Sequence, residues 1–221
     1  MNEIAAAVLY AVLLAAAVRA GIGIIAQRDS DGGRRIPVAT ITALVVVGVP
    51  TLLQLIAIPS LLGYLERDRT AIGDGQVWRL VTSLVVQDGG LAGAVFNLVS
   101  LAVVGVVAER VWGAARWAVV ALASGVAGQL WGLVVQPVGA GNSVAVFGLA
   151  ASVAAVTLAS GNLATRISAA VSLLVTVTLL LAGDIHGGAA AVGAALGLIL
   201  AWIDRRALLQ AQARDTNRPA G

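Results

Sequence analysis

The chain has 221 residues, of which 59% are hydrophobic and 11% charged, with a formal net charge of +3 at pH 7. Soluble domains are nearer half apolar and about a quarter charged, so this is the composition of a membrane protein. With no cysteine and a single histidine, His186, a disulfide framework, a thiol nucleophile and a His-rich metal site are excluded, and the scattered arginines form no nucleic-acid-binding stripe.

A helix crosses a bilayer with about 20 apolar residues. The first such run, Ile4 to Ile25, is interrupted only by Arg19. It is too long for a signal peptide and lacks a basic leader, so it reads as a retained span with Arg19 snorkelling to the interface. A polar loop follows from Gln27 to Arg35. The second span runs from about Ile36 to Leu62, where Pro50 and Pro59 are expected to kink or shorten it. Glu66 to Arg79 is a long polar connector that ends in Gly75-Gln76-Val77-Trp78-Arg79-Leu80. Five more spans follow: Leu91 to Val107, Trp117 to Val135, Ser143 to Ala159, Ile167 to Ala182 and His186 to Ile203. The chain thus reads as an all-α polytopic bundle of one span plus six. Residues 1–35 form the first span and its loop, 36–204 a six-helix membrane domain, and 205–221 a polar tail expected to fray.

Arginine placement orients the bundle. With the amino terminus outside, Arg28, Arg34, Arg35, Arg110, Arg116, Arg166, Arg205, Arg206, Arg214 and Arg218 are cytoplasmic, and only Arg67, Arg69 and Arg79 are external. The carboxyl terminus is then cytoplasmic too. In this arrangement Ser143 and His186 both open their spans on the outer side, and Asn97 lies about two turns down a third outer-starting span. Polar groups at membrane depth are costly and tend to be functional, and three at one level are expected to form a site.

Ala189, Gly193 and Gly197 make a small-residue stripe behind His186, which turns the imidazole toward a closely packed neighbour rather than lipid. Gly125, Gly128 and Gly132 mark a similar face on the fourth span. Glycine-rich Gly139-Ala140-Gly141-Asn142 leads into the Ser143 helix. A helix start leaves backbone N–H groups unpaired and favours negative charge, which suits a serine whose adduct is an oxyanion. The plainer reading of Ser143 is a helix cap. His186 is the natural base for it. Asp184 precedes the His186 span and reads as a loop residue, because positions two apart do not face each other on a helix. A Ser–His dyad is therefore expected rather than a triad. Phe147 sits one turn below Ser143, where it packs in the core or against the imidazole. Glu109 ends its span far from Ser143 and reads as structural, paired with a loop arginine. Arg79 beside Trp78 reads as an interfacial anchor.

These landmarks resemble the rhomboid family of intramembrane serine proteases. The resemblance runs from about Ile36 to Asp204 and rests on Trp78-Arg79, Phe96-Asn97, Gly141-Asn142-Ser143, Phe147-Gly148, and His186 followed by Gly193. It implies a six-helix core with an added first span, a water-filled cavity open to the outside, and peptide-bond hydrolysis in or beside transmembrane segments of protein substrates. It further implies Ser143 as nucleophile and His186 as general base. Asn97 with the Ser143 amide would form the oxyanion hole, supported by Gly141, and Trp78-Arg79 would anchor a membrane-embedded outer loop. No cofactor or metal is implied, and the partners are transmembrane proteins and the bilayer, not nucleic acid. Two positions depart from the family pattern: Gly93 stands where it has a histidine, and Val144 where it has a glycine after the serine. Losing one oxyanion donor costs about 10²–10³ in rate. The β-branched Val144 is expected to crowd a helix contact or narrow the cleft. These departures favour the second reading, a weak or inactive relative that binds client helices. A small transporter would need discontinuous helices or buried ion ligands, which the sequence lacks.

Overall fold

The computed structural model describes residues 2–28 and 36–216. Arg34, Arg35 and Arg218, counted above for orientation, lie outside them. The elements in order are α1 (Glu3–Arg28), α2 (Val38–Ile56), α3 (Leu61–Leu65), β1 (Arg67–Asp68), α4 (Arg69–Gly73), α5 (Arg79–Thr82), α6 (Gly90–Trp112), α7 (Ala114–Val135), β2 (Val138–Gly139), α8 (Ser143–Ser160), α9 (Leu163–Leu181) and α10 (Ile185–Thr216). Among the described residues seven helices, α1, α2 and α6 to α10, are long and apolar enough to cross a membrane.

The bundle is built around α8. Within its span 72% of the residues are buried, against no more than 39% in any other span. Lipid cannot supply a hydrophobic drive between helices, so close approach of small residues has to hold them. At α8 that approach is backbone on backbone: a β-carbon at Gly193 of α10 would overlap the Gly148 carbonyl, and one at Gly197 would press on Ser152. On the other side Gly128 of α7 receives Val144 and Ala189, whose β-carbons lie 2.9 and 2.8 Å from where its own would be. The expected crowding by Val144 is thus absorbed by Gly128.

The first helix is part of this bundle. It packs on α9, α8 and α6. Gly21 brings it so close that Val107 of α6 and Val153 of α8 occupy the space of its missing side chain. Two hydrogen bonds tie it to α9: Ser172 Oγ donates to the Leu13 carbonyl at 3.1 Å, and Arg19 Nε to Ser168 Oγ at 3.1 Å. Arg19 is exposed as its snorkelling requires, but it has a definite partner.

The second span is cut short, as its prolines led one to expect: α2 ends at Ile56, ahead of Pro59, and keeps Pro50 inside it. Two sequence readings need correction. Among the described residues, Glu109 pairs with no arginine. Buried in α6, it accepts from Ala39 N (2.9 Å), Thr40 N (2.8 Å) and Thr40 Oγ1 (2.8 Å). It thereby satisfies the amides at the start of α2, whose own N-cap, Pro37, has no side-chain donor or acceptor to offer. The tail after Asp204 does not fray there, since α10 continues to Thr216. Its Ala, Leu, Gln and Arg residues are good helix formers, and Arg206 lies over the Trp202 ring at 3.9 Å.

The connector between α2 and α6 is folded, not extended. β1 pairs antiparallel with β2, Arg67 opposite Gly139 and Asp68 opposite Val138, which binds this connector to the loop that leads into α8. Arg79 is buried and closes the connector on itself. Its Nη1 donates to the Gly63 and Glu66 carbonyls (3.0 and 2.8 Å) and its Nε to Gln76 Oε1 (2.8 Å). Trp78 beside it is 53% exposed.

Candidate active site

Two helix starts meet at one end of the bundle. The loop into α8 is pinned by Gly141 N donating to the Ser83 carbonyl (2.8 Å) and Ala140 N donating to Asp88 Oδ2 (2.9 Å). Gly141 adopts φ +146°, a conformation that side chains disfavour. A β-carbon there would stand 3.1 Å from Asn97 Nδ2 and 3.5 Å from Ser143 Oγ, so the glycine keeps open the space between these two groups. Ser143 is the first residue of α8, and Asn142 is the N-cap but makes no side-chain cap. The Ser143 hydroxyl is not spent on capping either: it lies 2.9 Å from His186 Nε2.

α9 ends in a Schellman turn, with Asp184 N donating to the Leu179 carbonyl (2.9 Å) and Gly183 N to Leu180 (3.1 Å), while Gly183 takes φ +68°. This turn delivers Asp184 directly to the start of α10. Here the sequence reading is overturned. Asp184 Oδ1 accepts from His186 N at 2.8 Å and lies 2.8 Å from His186 Nδ1. The rule that residues two apart diverge holds inside a helix, but Asp184 stands just outside it, where a side chain folds back over the first turn. Its other oxygen, Oδ2, accepts from the Tyr10 hydroxyl of α1 at 2.6 Å. Burial acts to raise the Asp184 pKa. The hydrogen bonds and charge of His186, with the Tyr10 hydroxyl, outweigh it and hold the carboxyl below its ordinary value.

The imidazole is flanked by two rings. Phe147 lies 4.5 Å from it between centroids and Tyr10 also 4.5 Å, and the two flanking rings meet edge to face at 5.2 Å. Asn97 faces the same cleft through a ring of carboxamides. Its Nδ2 donates to Gln87 Oε1 (2.7 Å), Gln87 Nε2 to Asn142 Oδ1 (3.0 Å), and Asn142 Nδ2 to the Asn97 carbonyl (3.3 Å). Gln54 grips the Gln87 backbone through both its amide atoms, at 2.7 and 2.8 Å. One Asn97 N–H is therefore committed, and the carboxamide has a second to offer. Around Gly93, the helix position lacking histidine, nothing lies within 4 Å of where a β-carbon would be.

Ser143, His186, Asn97, Gly141, Tyr10 and Arg67 all line one cleft of about 190 Å³. Phe147 backs the imidazole from the core, while Trp78 and Arg79 belong to the connector and do not line the cleft. Arg67 reads from sequence as an outer-loop arginine but is only 1% exposed. It donates to the Gln136 carbonyl and to Gln129 Oε1, in room left by Gly132. Burial lowers its pKa, against the opposing charges of Asp88 and Glu66. Tyr10, Gln87 and Arg67 were not legible as site residues, and Asp184 was weighed as a partner of His186 and set aside. Tyr10 left only one trace, a lone phenol in an otherwise apolar run. Among the described residues no group of three or more His, Asp or Glu side chains converges as metal ligands.

A hydroxyl bonded to an imidazole has an acceptor for its proton. The Ser143 amide, in the first turn of its helix, has no intrahelical acceptor. The Rhomboid domain family model matches residues 74–207, more than half of the chain, from the connector into α10. Rhomboid protease GluP of Bacillus subtilis (strain 168) is 34% identical over 90 residues, which is 40% of this chain and 18% of that protein. The match therefore spans less than a fifth of that relative's length. α1 with Tyr10 lies outside the residues the family model matches.

Proposed function

The chain belongs to the rhomboid family, a family of multi-pass membrane proteins that includes intramembrane proteases, and from that footing we propose that it is a serine endopeptidase acting on transmembrane segments of other proteins. The observation that carries the reading is the 2.9 Å contact between Ser143 Oγ and His186 Nε2 at the floor of a cleft. Ser143 Oγ attacks the carbonyl carbon of the scissile peptide while Nε2 takes its proton. The tetrahedral oxyanion accepts from the Ser143 N–H and the uncommitted Asn97 N–H. His186 then returns the proton to the leaving amine, and water, activated by the same nitrogen, releases the acyl group from Ser143. The arginine distribution supports a cleft on the extracytoplasmic side, with the amino terminus outside and the carboxyl terminus in the cytoplasm.

The test is labelling of the purified protein in detergent with a fluorophosphonate. Wild type should label, and Ser143→Ala should not. Folded wild type that stays unlabelled overturns the reading in favour of the second one, a relative that holds client helices without cutting them. Gly93 is what favours that alternative, because the imidazole donor of the family pattern is missing there. The free volume at Gly93 makes Gly93→His a compatible variant, and labelling that appears only in this variant would establish the silenced form.

Gly141→Ala should slow cleavage by about 10²–10³, the cost of losing an oxyanion contact. The added methyl would occupy the space between Asn97 Nδ2 and Ser143 Oγ and strain a φ of +146°. Steady-state kinetics on a transmembrane substrate would show the loss in kcat. An unchanged kcat would remove the oxyanion from this position.

A further inference from the structure

We infer that Asp184 is a positioning residue that fixes the tautomer of His186, and that α1 belongs to the same machinery because its Tyr10 holds that carboxylate. The inference rests on the protease reading above only for its kinetic consequence; the geometry is independent of it. A carboxylate has no proton to give, so the His186 nitrogen facing Asp184 Oδ1 at 2.8 Å must carry the hydrogen. That nitrogen is Nδ1, which leaves a lone pair on Nε2, 2.9 Å from Ser143 Oγ. Only this tautomer can accept the serine proton.

Three further contacts keep the carboxylate in that orientation. Oδ1 is also held by the His186 backbone amide, Oδ2 accepts from the Tyr10 hydroxyl at 2.6 Å, and the Asp184 carbonyl accepts from Trp131 Nε1 at 3.1 Å. The Asp184 and His186 side chains are each only 14% exposed, so water does not compete freely for these bonds. Tyr10 does two jobs at once: its hydroxyl orients Asp184, and its ring packs on the imidazole beside Phe147. The residues running from Tyr10 to Ser143 thus form one line, phenol to carboxylate to imidazole to hydroxyl. The first member comes from a helix outside the family-matched segment.

The experiment uses the full-length protein in detergent with ¹⁵N-labelled histidine. Because His186 is the sole histidine, its two ring nitrogens give the only imidazole signals. Wild type should show a protonated Nδ1 and an unprotonated Nε2. Asp184→Asn should lose that preference, since a carboxamide can present N–H to Nδ1 and drive the proton to Nε2. Asparagine caps a helix as well as aspartate, so this variant keeps the start of α10. A histidine in the wrong tautomer costs serine proteases of another fold about 10⁴ in kcat. The loss expected here is at least about 100-fold in kcat, with KM within about twofold. Tyr10→Phe, which keeps the ring and removes one bond, should retain the tautomer with partial proton broadening and lose about 3- to 10-fold in kcat, the worth of one hydrogen bond. An Asp184→Asn protein with the wild-type tautomer, or with kcat within twofold of wild type, overturns the inference. A tautomer change in Asp184→Asn together with an unlabelled wild type supports the positioning role and sinks the protease reading alone.

Discussion

Ser143→Ala and His186→Ala are each expected to lower kcat for a transmembrane substrate by about 10⁶, and the double variant to lose no more than either single one. The reason is that the two side chains act as a unit. Without the imidazole the hydroxyl keeps its proton and is a poor nucleophile; without the hydroxyl the imidazole has nothing to activate except water. What remains in every variant is the set of oxyanion donors, Asn97 and the Ser143 amide, which in comparable sites still gives about 10³–10⁴ over the uncatalysed rate. The variants should differ in stability. Ser143→Ala removes a hydroxyl that caps nothing, so its thermal midpoint should stay near wild type. His186→Ala takes from Asp184 Oδ1 its imidazole partner and leaves only a backbone amide there, so it should melt earlier. Kinetics and thermal unfolding in one detergent check both. Single losses that multiply in the double variant would mean that the residues work independently, contrary to the proposed nucleophile–base pair.

Gly193→Ala carries the second large effect, through distance and not through chemistry. A β-carbon at Gly193 overlaps the carbonyl of Gly148, and backbone cannot swing aside as a flexible side chain can. Helices α10 and α8 must separate, and each carries one member of the Ser143–His186 pair at its first turn. A misplacement of about 1 Å between reacting groups costs on the order of 10²-fold in rate. Gly193→Ala should therefore fold in detergent and cleave about 100 times more slowly. Gly193→Val should meet or exceed the roughly 1–3 kcal/mol typical of overpacking and lower the yield of folded protein. Gly93→Ala is the control, because its methyl group enters open space. Equal activity in Gly193→Ala and wild type would show that the α8–α10 contact has more slack than its geometry implies.

The seven spans could be read from the sequence because an apolar run of span length in a chain with 11% charge has few alternatives. Ser143, His186 and Asn97 stood out for the complementary reason, as polar groups at one depth in such runs. What could not be read depends on tertiary geometry. Asp184 was set aside by a rule of helix faces that does not extend to the cap, and the Schellman turn at Gly183 is what folds it back. Tyr10 meets Asp184 across 174 residues, and only the wedging of α1 beside α6, α8 and α9 brings them together. Arg67 counted as an exposed loop charge, since nothing in its neighbourhood announces that Gly132 of a later span makes room for it. The carboxyl-terminal boundary was placed by polarity, whereas helix propensity carries α10 on to Thr216.

The span of sequence between Tyr10 and Asp184 also bears on how the molecule comes into being. A ribosome adds about 5–20 residues per second, so Asp184 is made about 9–35 s after Tyr10. During that interval α1, then α2 and α6 to α8, enter the bilayer, and the Ser143 hydroxyl is present with no base beside it. The imidazole arrives with the last span and the Asp184 carboxylate just ahead of it, and the Tyr10 bond forms only when the first helix made closes on that last one. On the proposed reading, a newly synthesised copy carries no serine–histidine pair until its last span is in place.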